Sequence, residues 1–106
     1  MTEKVGDFAR SLAEVDRLIH EPARLVIITI LSAVDSADFI YLQRETGLSK
    51  GNLSSHLSKL AEAKYIKIEK TYRGKIPLTL CSLTEIGQQA YQDYRKNLRN
   101  LMERVT

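Results

Sequence analysis

One stretch of this sequence, from Leu48 to Leu60, concentrates short polar side chains around an apolar stripe. Leu53, Leu57 and Leu60 recur at i, i+4 and i+7, which is the spacing of one face of an α-helix. The other positions carry Ser, Asn, Gly and Lys, whose side chains can reach base edges and phosphates when a helix enters a DNA major groove. The stretch therefore favours a DNA-recognition helix over residues 49–62. A serine-rich surface helix that contacts only solvent is the alternative.

The polar face differs from an ordinary solvated helix face, which is usually rich in Glu, Lys, Arg and Gln because these residues have better helix propensity than Ser and Gly. His56 lies beside the apolar stripe, so it is as well placed to pack against a neighbouring helix as to donate to a phosphate. The expected DNA contacts on this helix are Lys50, Asn52, Ser54, Ser55, His56, Ser58 and Lys59.

Other reactive residues are few. His20 and His56 are far apart and share no zinc-ligand spacing, and the single cysteine, Cys81, leaves no cysteine pair for a metal site or a disulfide. The sequence also contains no glycine-rich phosphate loop and no Ser-His-Asp set. We therefore expect no enzyme activity, no catalytic residue, no metal and no cofactor.

Charge is distributed unevenly along the chain. The net charge of +3 comes from 16 basic and 13 acidic residues. Residues 1–40 hold four basic and seven acidic residues, whereas residues 41–80 hold eight basic and three acidic residues. The basic segment thus coincides with the serine-rich helix, where a nucleic-acid-binding surface would need it.

Apolar runs in the sequence are short. The longest, Leu25 to Ile28, is far below the roughly 20 residues that a membrane-spanning helix requires. The first residues, Met1 to Lys4, are not followed by the apolar segment of a signal peptide. Together with the lone cysteine, this predicts a cytoplasmic protein without a membrane partner.

The elements around the candidate helix fit one domain, because 106 residues support a single core. Pro22 suits the first turn of a buried helix that starts near Glu21 and runs to about Ala33 or Val34. A short helix should end at Gly47, and Ser49 should cap the next one. Two helices joined by so short a turn form a helix-turn-helix.

After Ala63 the periodicity changes to that of a β-hairpin over residues 66–83, with turn chemistry from Arg73 to Pro77. The second strand could face inward with either Leu78 and Leu80 or Cys81 and Leu83. The cations near the hairpin tip, expected to contact DNA, are Lys70, Arg73 and Lys75.

Each end of the chain carries a narrow apolar seam with alternating spacings of three and four residues, as in helices that pair with one another. Such seams favour a homodimer, with terminal helices over residues 1–20 and 84–106 that flank a core over residues 21–83. The alternative is that the two helices pack on each other within one monomer. The expected dimer contacts are Val5, Phe8, Leu12, Val15, Ile19, Tyr91, Tyr94, Leu98, Leu101 and Val105.

Four segments resemble the winged helix-turn-helix transcriptional regulators of the MarR/ArsR-like group. They are Glu21 to Leu25, Thr46 to Leu60, Ile68 to Lys70 and Leu83 to Glu85, and the resemblance covers about His20 to Tyr94. It implies a mainly α structure with a small β-hairpin (α+β), in which additional N- and C-terminal helices make a dimer. It also implies that the recognition helix enters the major groove, while the hairpin, or wing, reaches the flanking backbone or minor groove.

The sequence departs from this family in three respects. Lys64 stands where members usually have Gly, so a lysine is expected at positive φ. Leu78 replaces a basic residue often found in the wing, which weakens the expected wing contacts. The paired cysteines or His/Asp clusters of the metal-sensing members are missing, so metal sensing is not expected.

The resemblance thus predicts a homodimeric, sequence-specific regulator of transcription that binds a pseudo-palindromic double-stranded DNA operator. A winged-helix protein-protein interaction module is the alternative, for which exposed apolar residues on the recognition face would be expected. RNA binding is less well supported, because the A-form major groove does not admit a helix and no aromatic stacking platform is evident. No pattern in the sequence identifies a small-molecule effector.

Overall fold

The computed structural model describes residues 6, 9–10 and 15–105 of the chain. From residue 15 onward it has four helices and one three-stranded antiparallel sheet, which confirms the mainly α architecture with a helix-turn-helix and a wing. The elements in chain order are α1 (Pro22–Ser32), β1 (Ala37–Asp38), α2 (Phe39–Thr46), α3 (Lys50–Glu62), β2 (Ile66–Arg73), β3 (Ile76–Leu83) and α4 (Glu85–Val105).

Side-chain caps explain where the helices begin. The carboxylate of Glu21 accepts hydrogen bonds from the first backbone N–H groups of α1, whose first turn contains Pro22. Asp38 caps α2 and Ser49 caps α3, where the Ser49 hydroxyl accepts from the N–H of Asn52 at 3.2 Å. At the start of α4, Thr84 Oγ1 accepts from the N–H of the third residue on at 2.9 Å. These bonds satisfy N–H groups that have no partner within the helix.

Two turns take left-handed backbone conformations. Gly47 ends α2 at φ 71°, as its place after the short helix predicted. Lys64, between α3 and β2, has φ 65°, which confirms the expected lysine at positive φ. A Cβ is crowded in this conformation, so the lysine adds strain that glycine would avoid.

The sheet has the order β1-β3-β2, and its hairpin pairs β2 with β3 from Ile66 opposite Leu83 to Arg73 opposite Ile76. Only Gly74 and the residue after it form the loop, and Gly74 has φ 64°. Positive φ at the first of two loop residues matches the right-handed twist of the strands. The turn is therefore shorter than the sequence predicted, since residues 76 and 77 belong to β3.

The largest hydrophobic cluster, here called the main core, joins α1, α2, α3 and the base of the hairpin. Cys81 is fully buried in it and Leu83 packs against it, which settles the register of β3 with Leu78 and Leu80 on the opposite face of the sheet. Its buried members are Ile27, Ile28, Leu31, Ala37, Leu42, Leu53, Leu57, Leu60, Ile66 and Cys81.

A smaller cluster, here called the arm cluster, joins the segment before α1 to α4. Its buried members are Val15, Ile19, Tyr94 and Leu101. Each of them is at most 3% exposed within one chain. Part of the N-terminal seam therefore packs on part of the C-terminal seam within one chain, as in the single-monomer alternative.

Two features differ from the sequence-based expectations. Residues 15–20 form turns instead of continuing a helix, because Asp16 Oδ1 accepts from the N–H groups of Leu18 and Ile19 at 2.9 and 3.2 Å. Strand β1 was not expected, since two residues are too short to show an alternating pattern. The predicted seam residues Val5, Phe8 and Leu12, and the side chain of Val105, lie outside the described residues.

Among residues 6, 9–10 and 15–105, no helix combines the length and the apolar character needed to cross a membrane.

Candidate nucleic-acid interface

Helix α3 has the two-sided character that its sequence predicted. Leu53, Leu57 and Leu60 are at most 2% exposed and anchor the helix in the main core. The predicted contact residues on the opposite side are all exposed, with His56 the exception at an intermediate level. The exposed set is Lys50, Asn52, Ser54, Ser55, Ser58 and Lys59.

The exposed side of α3 has two flanks, because an α-helix turns by about 100° per residue. Lys50, Ser54 and Ser58 follow one flank and line a groove of about 560 Å³ that is shared with α2 and the hairpin. The hairpin contributes Lys70 to the same groove. Asn52, His56 and Lys59 follow the other flank, on the side away from the hairpin.

The hairpin brings its three predicted cations to the surface. Lys70, Arg73 and Lys75 are exposed, and the last two lie on either side of Gly74 at the tip. Tyr72 and Ile76 beside them are 70% and 67% exposed. The tip therefore presents two positive charges with neighbouring apolar groups.

His56 lies against the first turn of α1. Its Nδ1 is 3.1 Å from Nη1 of Arg24 and 3.6 Å from a carboxylate oxygen of Glu21. Arg24 in turn donates from Nε to the carbonyl of Leu18 at 2.6 Å. This position agrees with the helix-packing alternative for His56, and it leaves the side chain 20% exposed.

The protonation of Glu21 fits its role as a cap. Burial alone would raise the pKa of this carboxyl, but hydrogen bonds from the N–H groups of Arg24 and Ala23, with the positive charge of the Arg24 guanidinium, lower the pKa overall. An ionised cap is the better acceptor at a helix N-terminus.

Two further hydrogen bonds fasten the segment before α1 to the rest of the domain. Tyr65 donates its hydroxyl proton to Asp16 Oδ2 at 2.7 Å, and Tyr94 OH lies 2.8 Å from Nδ1 of His20. Burial, together with the bond to Asp16 and the negative charge of Asp16, raises the pKa of Tyr65 to about 12. Burial, with Tyr91 and Asp16 nearby, also raises the pKa of Tyr94.

Sequence reasoning missed Arg24 as a neighbour of the candidate interface. The sequence does place Arg24 in the first turn of a helix, two residues after Pro22. No local pattern shows which other helix that turn will face. Sequence spacing also gave no hint that Tyr65 and Asp16, 49 residues apart, would meet.

In the described part of the chain, no group of three or more His, Cys, Asp or Glu side chains is arranged to hold a metal ion.

Comparison with known proteins places this geometry in a family. Residues 23–102 match the family model described as a winged helix DNA-binding domain. The uncharacterized protein MJ0432 of Methanocaldococcus jannaschii is 26% identical over 90 residues, which cover 84% of this chain and 97% of that protein.

Solved structures with the same fold include regulators of the MarR and ArsR families. The transcriptional regulator homologue protein from Pyrococcus horikoshii OT3 superposes with a TM-score of 0.79 at 23% identity, covering 95% of each chain. A MarR family transcriptional regulator from Silicibacter pomeroyi gives a TM-score of 0.65 at 22% identity, covering 99% of this chain and 70% of that one. The family model spans most of the chain, and this chain therefore belongs to the winged helix DNA-binding domain family.

Proposed function

We propose that this protein is a homodimeric regulator of transcription that binds double-stranded DNA in a sequence-specific manner. In this proposal α3 enters the major groove, and the hairpin reaches the flanking backbone or the minor groove. The observation that carries it is the outer side of α3, where every exposed residue from Lys50 to Lys59 is glycine, a small polar residue or a lysine. Such side chains allow close approach of the helix to base edges and can hydrogen-bond them.

A protein-interaction module remains the second candidate, because the same side of the molecule also exposes apolar groups. Ile40, at the start of α2, is 64% exposed, and Ile68, on β2, is 37% exposed; both line the groove beside α3. These residues lie beside α3 and not on it. A binding surface for protein would be expected to place apolar residues on α3 itself.

Support for the dimer comes from shape and from the surface of α4. The radius of gyration is 16.3 Å, compared with about 13 Å for a compact domain of this length. Helix α4 has 21 residues. On one face of this helix the half-buried Leu98 lies one turn before Met102, which is 57% exposed. Since Tyr94 and Leu101 are covered within one chain, the accessible part of the proposed interface centres on Leu98, Met102 and the half-buried Tyr91.

The dimer is tested by placing a charge on this surface. Met102→Glu should give a folded monomer with weak DNA binding, because the side chain is exposed in one chain and a carboxylate is costly in an apolar interface. Asn100→Asp, which adds the same charge to an exposed position on the opposite side of α4, is the matched control and should stay dimeric. Light scattering that shows the unmodified protein to be monomeric at micromolar concentration would reject the dimer.

DNA binding is tested by gel shift on genomic fragments at two salt concentrations. Asn52→Ala or Ser55→Ala should lose about 1–3 kcal/mol at one base position in each half-site if a bidentate contact is removed. The half-sites should be about 34–36 Å apart if a two-fold axis relates two α3 helices. Unchanged affinity and base preference in both variants would remove α3 from the interface.

The hairpin is tested through the salt dependence of the affinity. Neutralising Arg73 and Lys75 together should lower the slope of log K against log[salt] by roughly 2 if each contacts one phosphate. Lys67→Gln, at an exposed cation near the base of β2, is the control and should leave the slope unchanged. A slope that does not fall in the double variant would mean that the tip is only solvated.

A further inference from the structure

The guanidinium group of Arg24 joins three parts of the chain. It donates to the carbonyl of Leu18, approaches the carboxylate of Glu21 at 3.8 Å and lies 3.1 Å from Nδ1 of His56. An arginine side chain has donors only. At the last of these contacts, His56 Nδ1 must therefore be the acceptor.

The distances favour this arrangement over the opposite one, in which His56 is protonated and donates from Nδ1 to Glu21. The separation of Nδ1 from the carboxylate oxygen is 3.6 Å, which is too long for a hydrogen bond, whereas the Arg24 contact is within range. A neutral imidazole whose Nδ1 accepts a hydrogen bond carries its proton on Nε2.

The Nε2 atom lies on the opposite side of the ring from Arg24. Among the described residues it has no hydrogen-bond partner. Every buried side-chain nitrogen and oxygen in the described part of the chain does have a partner, so Nε2 is not one of the buried atoms. Nε2 is therefore accessible from outside. It lies on the flank of α3 that also carries Asn52 and Lys59, one helical turn away on either side.

We propose that Arg24 holds His56 as the neutral Nε2–H tautomer, and that this N–H donates to a phosphate oxygen of the DNA strand bordering the flank of Asn52, His56 and Lys59. This inference rests on the proposed function and identifies the chemical group that this flank binds. Lys59 supplies the positive charge for the phosphate, and His56 supplies a directed, uncharged donor. Arg24 is a positioning residue that acts through His56.

The tautomer is tested on the free protein, without DNA. Long-range ¹H–¹⁵N correlation spectra of the imidazole rings at neutral pH should show the Nε2–H pattern for His56. The chain has two histidines, so comparison with His56→Gln assigns the signals. A pattern with the proton on Nδ1, or on both nitrogens, would overturn the proposed tautomer.

The phosphate contact is tested by a matched pair of substitutions. His56→Asn keeps an acceptor near the position of Nδ1 but removes the donor at Nε2, whereas His56→Gln places an amide nitrogen near Nε2 but removes the acceptor for Arg24. We expect His56→Asn to bind DNA about 10- to 100-fold more weakly, as for the loss of one hydrogen bond to a charged group. The salt slope should not change, because an uncharged donor releases no counterion, and His56→Gln should stay within about twofold of the unmodified protein.

Other outcomes contradict the inference in identifiable ways. If His56→Gln binds more weakly than His56→Asn, with a lower urea midpoint, His56 serves only to pack α3 against α1. If the salt slope falls by roughly 1 in His56→Asn, the contact is made by a charged imidazolium. If Asn52→Ala weakens binding while both His56 variants bind normally, this inference is wrong and the proposed function stands. If the unmodified protein binds no DNA, both are wrong.

Discussion

The main core and the arm cluster are held together by different forces. The main core contains ten buried residues, all apolar or Cys81, and no polar or charged side chain of the described chain is buried. The arm cluster has only four buried residues and is bordered by the hydrogen bonds of Asp16 to Tyr65 and of His20 to Tyr94. Apolar packing thus fixes the main core, whereas the arm is positioned by apolar packing together with directional hydrogen bonds.

The two clusters position different parts of the molecule. Helix α3 is seated in the main core through three leucines, so its orientation relative to α1 and α2 is set by close packing. The segment before α1 and helix α4 are positioned in part by groups that titrate. We therefore expect α3 to be insensitive to conditions that loosen the arm.

The largest expected effect is a cavity in the main core. Leu53→Ala should lower the free energy of unfolding by about 2–5 kcal/mol, because the site is fully buried and cannot collapse readily. Leu101→Ala, in the arm cluster, is the matched change and should fall at or below the low end of that range, since the last turns of α4 can relax. Urea unfolding followed by circular dichroism measures both. Equal losses would show that the two clusters unfold as one unit.

The junction between the clusters should be the next most sensitive point. A Cβ at Gly87 would lie 2.0 Å from the carbonyl oxygen of Tyr65, so the start of α4 could approach the hairpin so closely only with glycine there. Gly87→Ala should lower stability by about 1–3 kcal/mol by forcing α4 away from the hairpin. Gly51→Ala on the outer side of α3, where no atom lies within 4 Å, is the control and should not destabilise. A neutral Gly87→Ala would mean that α4 shifts freely.

Because the arm is held in part by tyrosine hydrogen bonds, the stability of the protein should fall at alkaline pH. Because the pKa of Tyr65 is raised to about 12 in the folded state, its stabilising contribution is complete below its ordinary pKa near 10 and is lost as the pH rises toward 12. Tyr65→Phe should lower the free energy of unfolding by about 1 kcal/mol at neutral pH. The variant should also lose less stability than the unmodified protein as the pH rises from near 10 toward 12. Urea unfolding at several pH values and the tyrosinate absorbance provide the measurement. A pH slope identical to that of the unmodified protein would contradict this role of Tyr65.

The smallest expected effect is a gain in stability. Lys64→Gly should stabilise the protein by about 0.5–1 kcal/mol, because glycine adopts φ 65° without crowding of a Cβ. Lys64→Ala keeps the strain and removes the charge, so it separates the two contributions. Loss of stability in Lys64→Gly would show that the lysine side chain makes a compensating contribution.

Local signals in the sequence predicted much of the fold. Pro22 in the first turn of α1, Gly47 at the end of α2 and Ser49 before α3 each act within a few residues, and all three were confirmed. The outer side of α3 was identified for the same reason, since the positions of its leucines decide which side faces water. The DNA contacts themselves stay predictions.

Features that depend on distant partners could not be predicted in this way. The register of β3 was left open because both of its faces carry apolar residues, and only packing against the main core selects Cys81. The spacing of Val15 and Ile19 suggested a helix, but hydrogen bonds of Asp16 made turns there. The contact of Arg24 with His56 joins residues 32 positions apart, which no helical periodicity encodes.

The short length of β1 has a consequence for the outer half of the hairpin. Strand β1 pairs with β3 only at Cys81 and Leu80, so residues 76–79 have a hydrogen-bonded neighbour on one side alone. A two-stranded ribbon twists more strongly than a wider sheet and is barely stable by itself in water. Backbone amide exchange should therefore quicken beyond Leu80 toward the tip, and this compliance would let Arg73 and Lys75 follow the local width of a DNA groove at little cost to the rest of the domain.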